Sequence, residues 1–409
     1  MRVITSLAAA TPDTCGAKAA TLATLLRHGF PVPDGFVVTF DAYRAARAAA
    51  PEQARPDGRG GGGGEWTMPD LLAEHVSRKL TELGDPPVAV RSSAANEDGR
   101  AASAAGQYET VLAVRGTRAV LDAVATCWRS AGSDRVAGYR GRFHPSYEPD
   151  EPGGVPMAVL VQRLVEAEMS GVMFTPDRTR TSTRIEAAWG LGPSVADGTL
   201  TPDSYEVGAT WRITRLTPDK PTRLDRDGAG VARRPVPESQ RGRGVLDDPT
   251  VAELAAVGHR IADVLGVPQD VEWAIAAGRV WIVQARPITA PLPGLPGGTP
   301  TTSTLAGIPG SLGTATGPAR ILRGPSDFSR TQPGDVVVCR YTDPAWTPLF
   351  RIAAAVVTET GGALSHAAIV AREYAIPAVL GVPDATTRIL DGELLTVDGT
   401  AGVVTPVRH

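Results

Sequence analysis

The stretch Thr358-Glu359-Thr360-Gly361-Gly362-Ala363-Leu364-Ser365-His366-Ala367-Ala368-Ile369-Val370-Ala371-Arg372 sets one histidine directly behind a glycine turn. A neutral imidazole in that setting can accept and carry a phosphoryl group. Its reference pKa of about 6.5 leaves a usable lone pair near neutral pH. Residues 353–358 form a short apolar run ending in threonine, which predicts a buried strand. Gly361-Gly362 predicts a turn, and residues 365–374 a helix with Ser365 at its N-cap. His366 then occupies the first helical turn, where free backbone N–H groups and the helix dipole favour an anion. Taken alone, the histidine could equally be a structural residue beside a turn.

A second chemical segment is Asp270-Val271-Glu272-Trp273-Ala274-Ile275, followed by Ala277-Gly278-Arg279 and Val280-Trp281-Ile282-Val283-Gln284-Ala285-Arg286-Pro287. Two alternating runs around a turn predict a hairpin. Asp270 and Glu272 lie two apart, as do Gln284 and Arg286, so on each strand the pair shares a face. Carboxylate and amide oxygens beside a guanidinium suit Mg²⁺ bridging nucleotide phosphates. The alternative is the solvated polar face of an edge hairpin.

The remaining candidates are scattered. Gly16-Ala17-Lys18 precedes a helical pattern over 19–28 with Leu22, Leu25 and Leu26 on one face. A lysine at a helix start can reach phosphate oxygens as a point charge, although a short G-x-K is not a P-loop. Residues 87–93 predict a strand delivering Arg91 to its end, towards a ligand crevice. Residues 103–110, with Gly106 and Thr110, predict a small-residue loop whose N–H groups could approach phosphates, or a plain hairpin loop. Residues 157–165 predict an apolar strand interrupted by Gln162 and Arg163, with 171–175 as its antiparallel partner. Gln162 could pair with an adenine edge or cap the sheet. Glu186 opens a strand that runs into the glycine-broken loop before Thr201-Pro202-Asp203.

These residues need a scaffold, and composition bounds it. A chain of 409 residues is long enough for two or three domains, and 42% hydrophobic with 21% charged residues is ordinary globular composition. A net charge of -3 gives no nucleic-acid surface. Cys15, Cys127 and Cys339 are too widely spaced for a metal motif or a disulfide framework, so a reducing cytoplasm is the expected compartment. No apolar run approaches the ~20 residues of a membrane helix, and the N-terminus lacks a signal-peptide layout. Only Lys18, Lys79 and Lys220 are lysines among 41 basic residues, which makes Lys18 conspicuous. Residues 51–64 and 144–156 predict surface connections, and 217–237 a loop or irregular hairpin. His28, His75, His144, His259 and His409 have no setting like that of His366. The proline- and glycine-rich run 290–302 predicts a semi-rigid linker. The expected class is α/β (α+β), with domains at 1–289 and 305–409 joined by residues 290–304.

Together these segments resemble the superfamily of phosphoenolpyruvate synthase, pyruvate phosphate dikinase and rifampicin phosphotransferase, over about residues 12–290 and 305–407. The resemblance implies an ATP-grasp domain followed by a small swivelling phosphohistidine domain. It implies that Lys18 and Arg91 hold ATP phosphates, that Gly106 and Thr110 lie on the loop covering the nucleotide, and that Gln162 contacts adenine. Glu272 and Gln284 would bind Mg²⁺ with ATP, Arg286 would contact phosphate, and Asp270 would stand behind them. The implied reaction passes the β-phosphate of ATP through His366 to a small-molecule acceptor, releasing AMP and phosphate, with the linker as hinge. With only residues 290–302 between the two halves, neither a pyruvate-binding barrel nor an antibiotic-binding insertion is expected in this sequence. The acceptor is therefore expected on these two domains or on a separate chain, with neither nucleic acid nor membrane as partner. An ATP-dependent ligase that activates a substrate by phosphorylation, and a regulatory nucleotide-binding module, are the other readings.

Overall fold

Alternate residues of the strand Val88–Ala94 face opposite ways, and this separates core from site in the first half of the chain. Val88, Val90 and Ala94 join Phe36, Val38, Val159 and Val161 in one hydrophobic core. That core is completed by the helices Phe40–Ala49, Asp70–Glu82 and Thr117–Ser130. Arg91, of opposite parity, points to the other face, where the helix Pro12–Arg27 packs. The computed structural model describes residues 2–49, 68–95, 109–131, 155–177, 181–228, 230–294 and 304–407. Two compact units divide the chain: Met1–Glu168 with Asp225–Arg233 and Val271–Pro287, and Met169–Leu224 with Arg234–Asp270 and Ile288–His409. Among the described residues no helix is long and apolar enough to cross a membrane.

In the first unit, five strands form an antiparallel sheet in the order Ile4–Ser6, Gly35–Val38, Met157–Arg163, Val88–Ala94, Thr110–Val114. Arg91 sits at the centre of its strand, opposite Leu160 and Thr110, and not at the strand end as expected. The reason is that Ser92, Ser93 and Ala94 continue the ladder against Met157, Ala158 and Val159. Residues 171–175 are not the partner of the Gln162 strand either. Both edges of Met157–Arg163 are occupied by Gly35–Val38 and Val88–Ala94, and Met169–Phe174 pairs instead with Thr183–Trp189. The expected hairpin over 270–287 is present as Gln269–Ala276 and Arg279–Pro287. Its two-residue turn has positive φ at both Ala277 (50°) and Gly278 (69°), the twist that suits a tight hairpin.

In the second unit, Met169–Phe174, Thr183–Trp189, Asp203–Val207 and Ile213–Leu216 are successive antiparallel neighbours. The helix Asp248–Leu265 covers them. It starts at Asp247, whose side chain accepts the Thr250 N–H at 3.0 Å, and stops at left-handed Gly266. The residues expected as loop or irregular hairpin form the paired strands Thr222–Asp227 and Gly230–Pro235, of which Asp225–Arg233 belongs to the first unit. Lys220, fully buried, bonds the equally buried Asp203, which also accepts the Val245 N–H at 2.7 Å and the Tyr205 hydroxyl at 3.1 Å. Burial pushes the Asp203 carboxyl up despite the ammonium beside it. Lys220→Met leaves that carboxylate without its counter-charge and should cost about 3–5 kcal/mol of stability in urea unfolding at pH 8. A raised folded-state pKa favours the fold at low pH, so the loss should shrink on acidification. A loss below about 1 kcal/mol at pH 8 would show that the pair is not what ties this loop down.

The C-terminal residues of the same unit build an eight-stranded mixed sheet. Its centre is parallel: Thr314–Leu322, Val336–Cys339, Ala355–Thr358 and Ala378–Leu380. Val336, Val338, Ala355, Val357 and Val379 fill one face. The chain leaves the carboxyl end of Ala355–Thr358, turns through the glycines and enters the helix His366–Glu373. In open α/β sheets this is where ligands bind. Strand, turn and helix all fall where the sequence places them. Ser365 does occupy the N-cap position, but its hydroxyl donates back to the Gly362 carbonyl at 2.8 Å and caps no N–H.

Candidate active site

In the first unit three predicted residues meet. The Arg91 guanidinium donates to the Glu272 carboxylate at 3.0 Å, to the Gln284 side-chain oxygen, and to the Val283 carbonyl at 2.6 Å. Glu272 and Gln284 come from opposite strands of the hairpin, 181 and 193 residues from Arg91 in sequence. Both oxygens meet the same Nη2, so they converge within reach of one small cation. Among the described residues no group of three or more His, Cys, Asp or Glu could hold a metal unaided. The pair therefore fits an ion that brings further ligands of its own, such as phosphate oxygens and water, which is the habit of Mg²⁺.

Lys18 is buried and donates to the Ser92 carbonyl at 2.9 Å, next to Arg91 in the chain. Gly16 makes this approach possible. It breaks the helix Pro12–Arg27 with φ 77°, and a Cβ there would lie 2.5 Å from the Ser93 carbonyl oxygen. The helix proper thus restarts just before Lys18, close to the predicted start at residue 19. Gln162, buried on the Arg91 face of the sheet, donates to the Pro33 carbonyl at 3.0 Å. Thr110 begins its strand directly opposite Arg91. Arg286 is half-buried two residues beyond Gln284, and Asp270 is buried two residues before Glu272. Gly106 lies outside the described residues.

In the second unit His366 is buried at the first position of its helix. Its Nδ1 lies 3.3 Å from the Thr342 hydroxyl oxygen. The turn before it is held from two directions. Arg372, one helix face further on, donates to the Ala363 carbonyl at 2.6 Å and to Gly310 at 2.8 Å. Glu186, wholly buried in Thr183–Trp189, accepts the N–H groups of Ala363 at 2.7 Å and Leu364 at 3.1 Å. Burial lifts the Glu186 carboxyl to about 7, against the opposing pull of Arg184, those two N–H groups and Arg372. Sequence reasoning assigned no role to Glu186, Thr342 or Arg372. The available signal was an acid in an otherwise apolar strand, Ile185-Glu186-Ala187-Ala188. Nothing in spacing marked Thr342.

Residues 65–292 match the family described as pyruvate phosphate dikinase, AMP/ATP-binding domain. Residues 331–402 match the PEP-utilising enzyme, mobile domain. Arg91, Gln162, Glu272, Gln284 and Arg286 fall in the first match and His366 in the second, while Lys18 precedes both. The chain is 35% identical over 426 residues to a probable phosphoenolpyruvate synthase of Methanothermobacter thermautotrophicus, covering 95% of this chain and 61% of that one. It is 32% identical over 471 residues to the phosphoenolpyruvate synthase of Pyrococcus furiosus (95% and 56%) and 34% over 450 residues to that of Escherichia coli (95% and 55%). The chain thus spans between 55% and 61% of the length of these curated relatives.

Proposed function

Because this chain belongs to the phosphoenolpyruvate synthase and pyruvate phosphate dikinase superfamily, we propose that it is an ATP-dependent phosphotransferase of the dikinase type, working through phosphohistidine at His366. The observation that carries the reading is the meeting of Arg91, Glu272 and Gln284, drawn from distant parts of the chain into one charged cluster. Such a cluster costs desolvation, and a guanidinium beside carboxylate and amide oxygens suits phosphates and a divalent ion. Lys18, Arg91 and Arg286 are cations for ATP phosphates, Gln162 is the polar group for adenine, and Thr110, at the start of its strand beside Arg91, would border the nucleotide cover to which Gly106 is assigned by family resemblance. Glu272 and Gln284 would hold Mg²⁺. When bound, the ion would neutralise charge on the phosphates during transfer.

His366 acts as the nucleophile. In the tautomer whose Nδ1–H donates to the Thr342 hydroxyl, 3.3 Å away, Nε2 carries the lone pair that attacks phosphorus. The new N–P bond forms at the β-phosphorus of ATP as the bond from that phosphorus to the α–β bridging oxygen breaks, and AMP leaves. Hydrolysis of the β–γ linkage by water then frees inorganic phosphate and leaves one phosphoryl group on the ring. Arginine and lysine charges offset the negative charge that spreads over the transferring group. The acceptor is a small molecule bound on this chain or on a separate one. The hinge expected at residues 290–304 lies largely outside the described residues, and the cytoplasm is the compartment. AMP and phosphate formed from ATP in equal amounts test the proposal. ADP as the sole nucleotide product would refute it.

A further inference from the structure

Glu186 is a buried acid that the proposed reaction leaves without work. It faces the turn that carries His366, and its two oxygens accept the N–H groups of Ala363 (2.7 Å) and Leu364 (3.1 Å) separately. Gly362 admits it: a Cβ at that position would lie 2.3 Å from Glu186 Oε2. Neighbouring contacts complete a seat. The Thr360 hydroxyl donates to the Gly198 carbonyl at 2.7 Å, and the Gly361 N–H to the Leu200 carbonyl at 3.0 Å. Leu364 packs into an apolar cluster with Val172, Phe174, Ala188 and Val195.

We propose that Glu186 is a positioning residue whose carboxyl group seats the glycine turn against the strand Thr183–Trp189, and so presents His366 for phosphorylation by ATP. The proposal rests on the phosphohistidine reading above. Two bonds to backbone N–H groups fix the turn without using any side chain of the turn itself, so the same bonds can be broken when the histidine must leave for its acceptor.

The seat is also sensitive to protons. The charged groups around Glu186 are Arg184 on its own strand and Arg372 on the His366 helix. The adjoining strand Asp203–Val207 brings Asp203, Tyr205 and Glu206, and the helix Asp248–Leu265 packed on the strand brings His259 against Thr183, while Met169–Phe174 and residues 361–364 bring no titratable side chain. Seated, the carboxyl titrates at about 7, against an ordinary 4.5. A pKa raised in the seated state favours seating fully below the ordinary value and progressively less as pH rises through 7. The seating equilibrium should therefore fall on the order of tenfold between pH 6 and pH 8.

The test combines hydrogen exchange of residues 360–366 with single-turnover labelling of His366 from β-labelled ATP, in wild type, Glu186→Ala, Glu186→Gln and Gly362→Ala. Glu186→Ala and Gly362→Ala should speed exchange of the Ala363 and Leu364 amides by about tenfold or more. Labelling should slow in step while the Kd for ATP stays within about twofold. A variant carrying both Glu186→Ala and Gly362→Ala should be no slower than Glu186→Ala alone, because the added methyl enters the vacated space. For Glu186→Gln, the ratio of labelling rates at pH 8 and pH 6 should exceed the wild-type ratio by about tenfold. Unchanged amide protection in Glu186→Ala, or superimposable pH profiles for Glu186→Gln and wild type, overturns the proposal. Should Glu186→Ala fail to fold, Gly362→Ala and the isosteric Glu186→Gln decide the same question. Absence of label on the wild-type protein refutes the phosphohistidine reading instead, and the exchange rates still decide the seat.

Discussion

His366→Ala should bind ATP with a Kd within about twofold of wild type, carry no acid-labile phosphate, and release AMP on the order of 10⁴-fold more slowly or worse. The size of the effect follows from the role. Removing a nucleophile removes the bond that must form, and no neighbouring group can substitute. The turn itself is held by Glu186 and Arg372 through backbone atoms of Ala363 and Leu364, so it does not depend on the imidazole. Nδ1 of the ring lies 3.3 Å from the Thr342 hydroxyl oxygen. Isotope on the variant, or AMP released at the wild-type rate, would assign the chemistry elsewhere.

Arg91→Met should lower kcat/KM for ATP by about 10²–10³-fold, with most of the loss in kcat. Two losses combine. A cation for the transferring phosphates disappears, and Glu272 and Gln284 lose the guanidinium that now gathers their oxygens. Arg91→Lys should recover only part of the activity, because an ammonium keeps the charge but cannot span Glu272, Gln284 and the Val283 carbonyl together. Thermal unfolding measured alongside separates catalysis from folding. Equal falls in activity for both variants, tracking a collapse in melting temperature, would make Arg91 a structural residue and sink this assignment.

Local pattern carried the sequence reading where structure is local. The hairpin over 269–287 was legible because alternation flanks Ala277-Gly278, and that alternation puts Glu272 and Gln284 on usable faces. The strand–glycine turn–helix around His366 was legible for the same reason. Sheet neighbours were not. Met157–Arg163 pairs with strands far away in sequence, so assigning it the next strand along the chain failed. A strand over 87–93 puts Arg91 towards its end, yet Ser92, Ser93 and Ala94 keep their ladder partners and leave Arg91 at the centre. Glu186 stands out in the sequence only as an acid in an apolar run, and its role does not show because its partners lie 177 and 178 residues downstream and offer only backbone N–H groups. No side-chain pattern can announce such a contact.

The most direct test of the central claim is to incubate the wild-type protein with Mg²⁺ and ATP labelled at either the β- or the γ-phosphate, and to recover the protein. Acid-labile label from β-ATP, none retained from γ-ATP, and AMP released in step is the predicted result. Label retained from γ-ATP with ADP as product would make the protein an ordinary kinase and contradict the account.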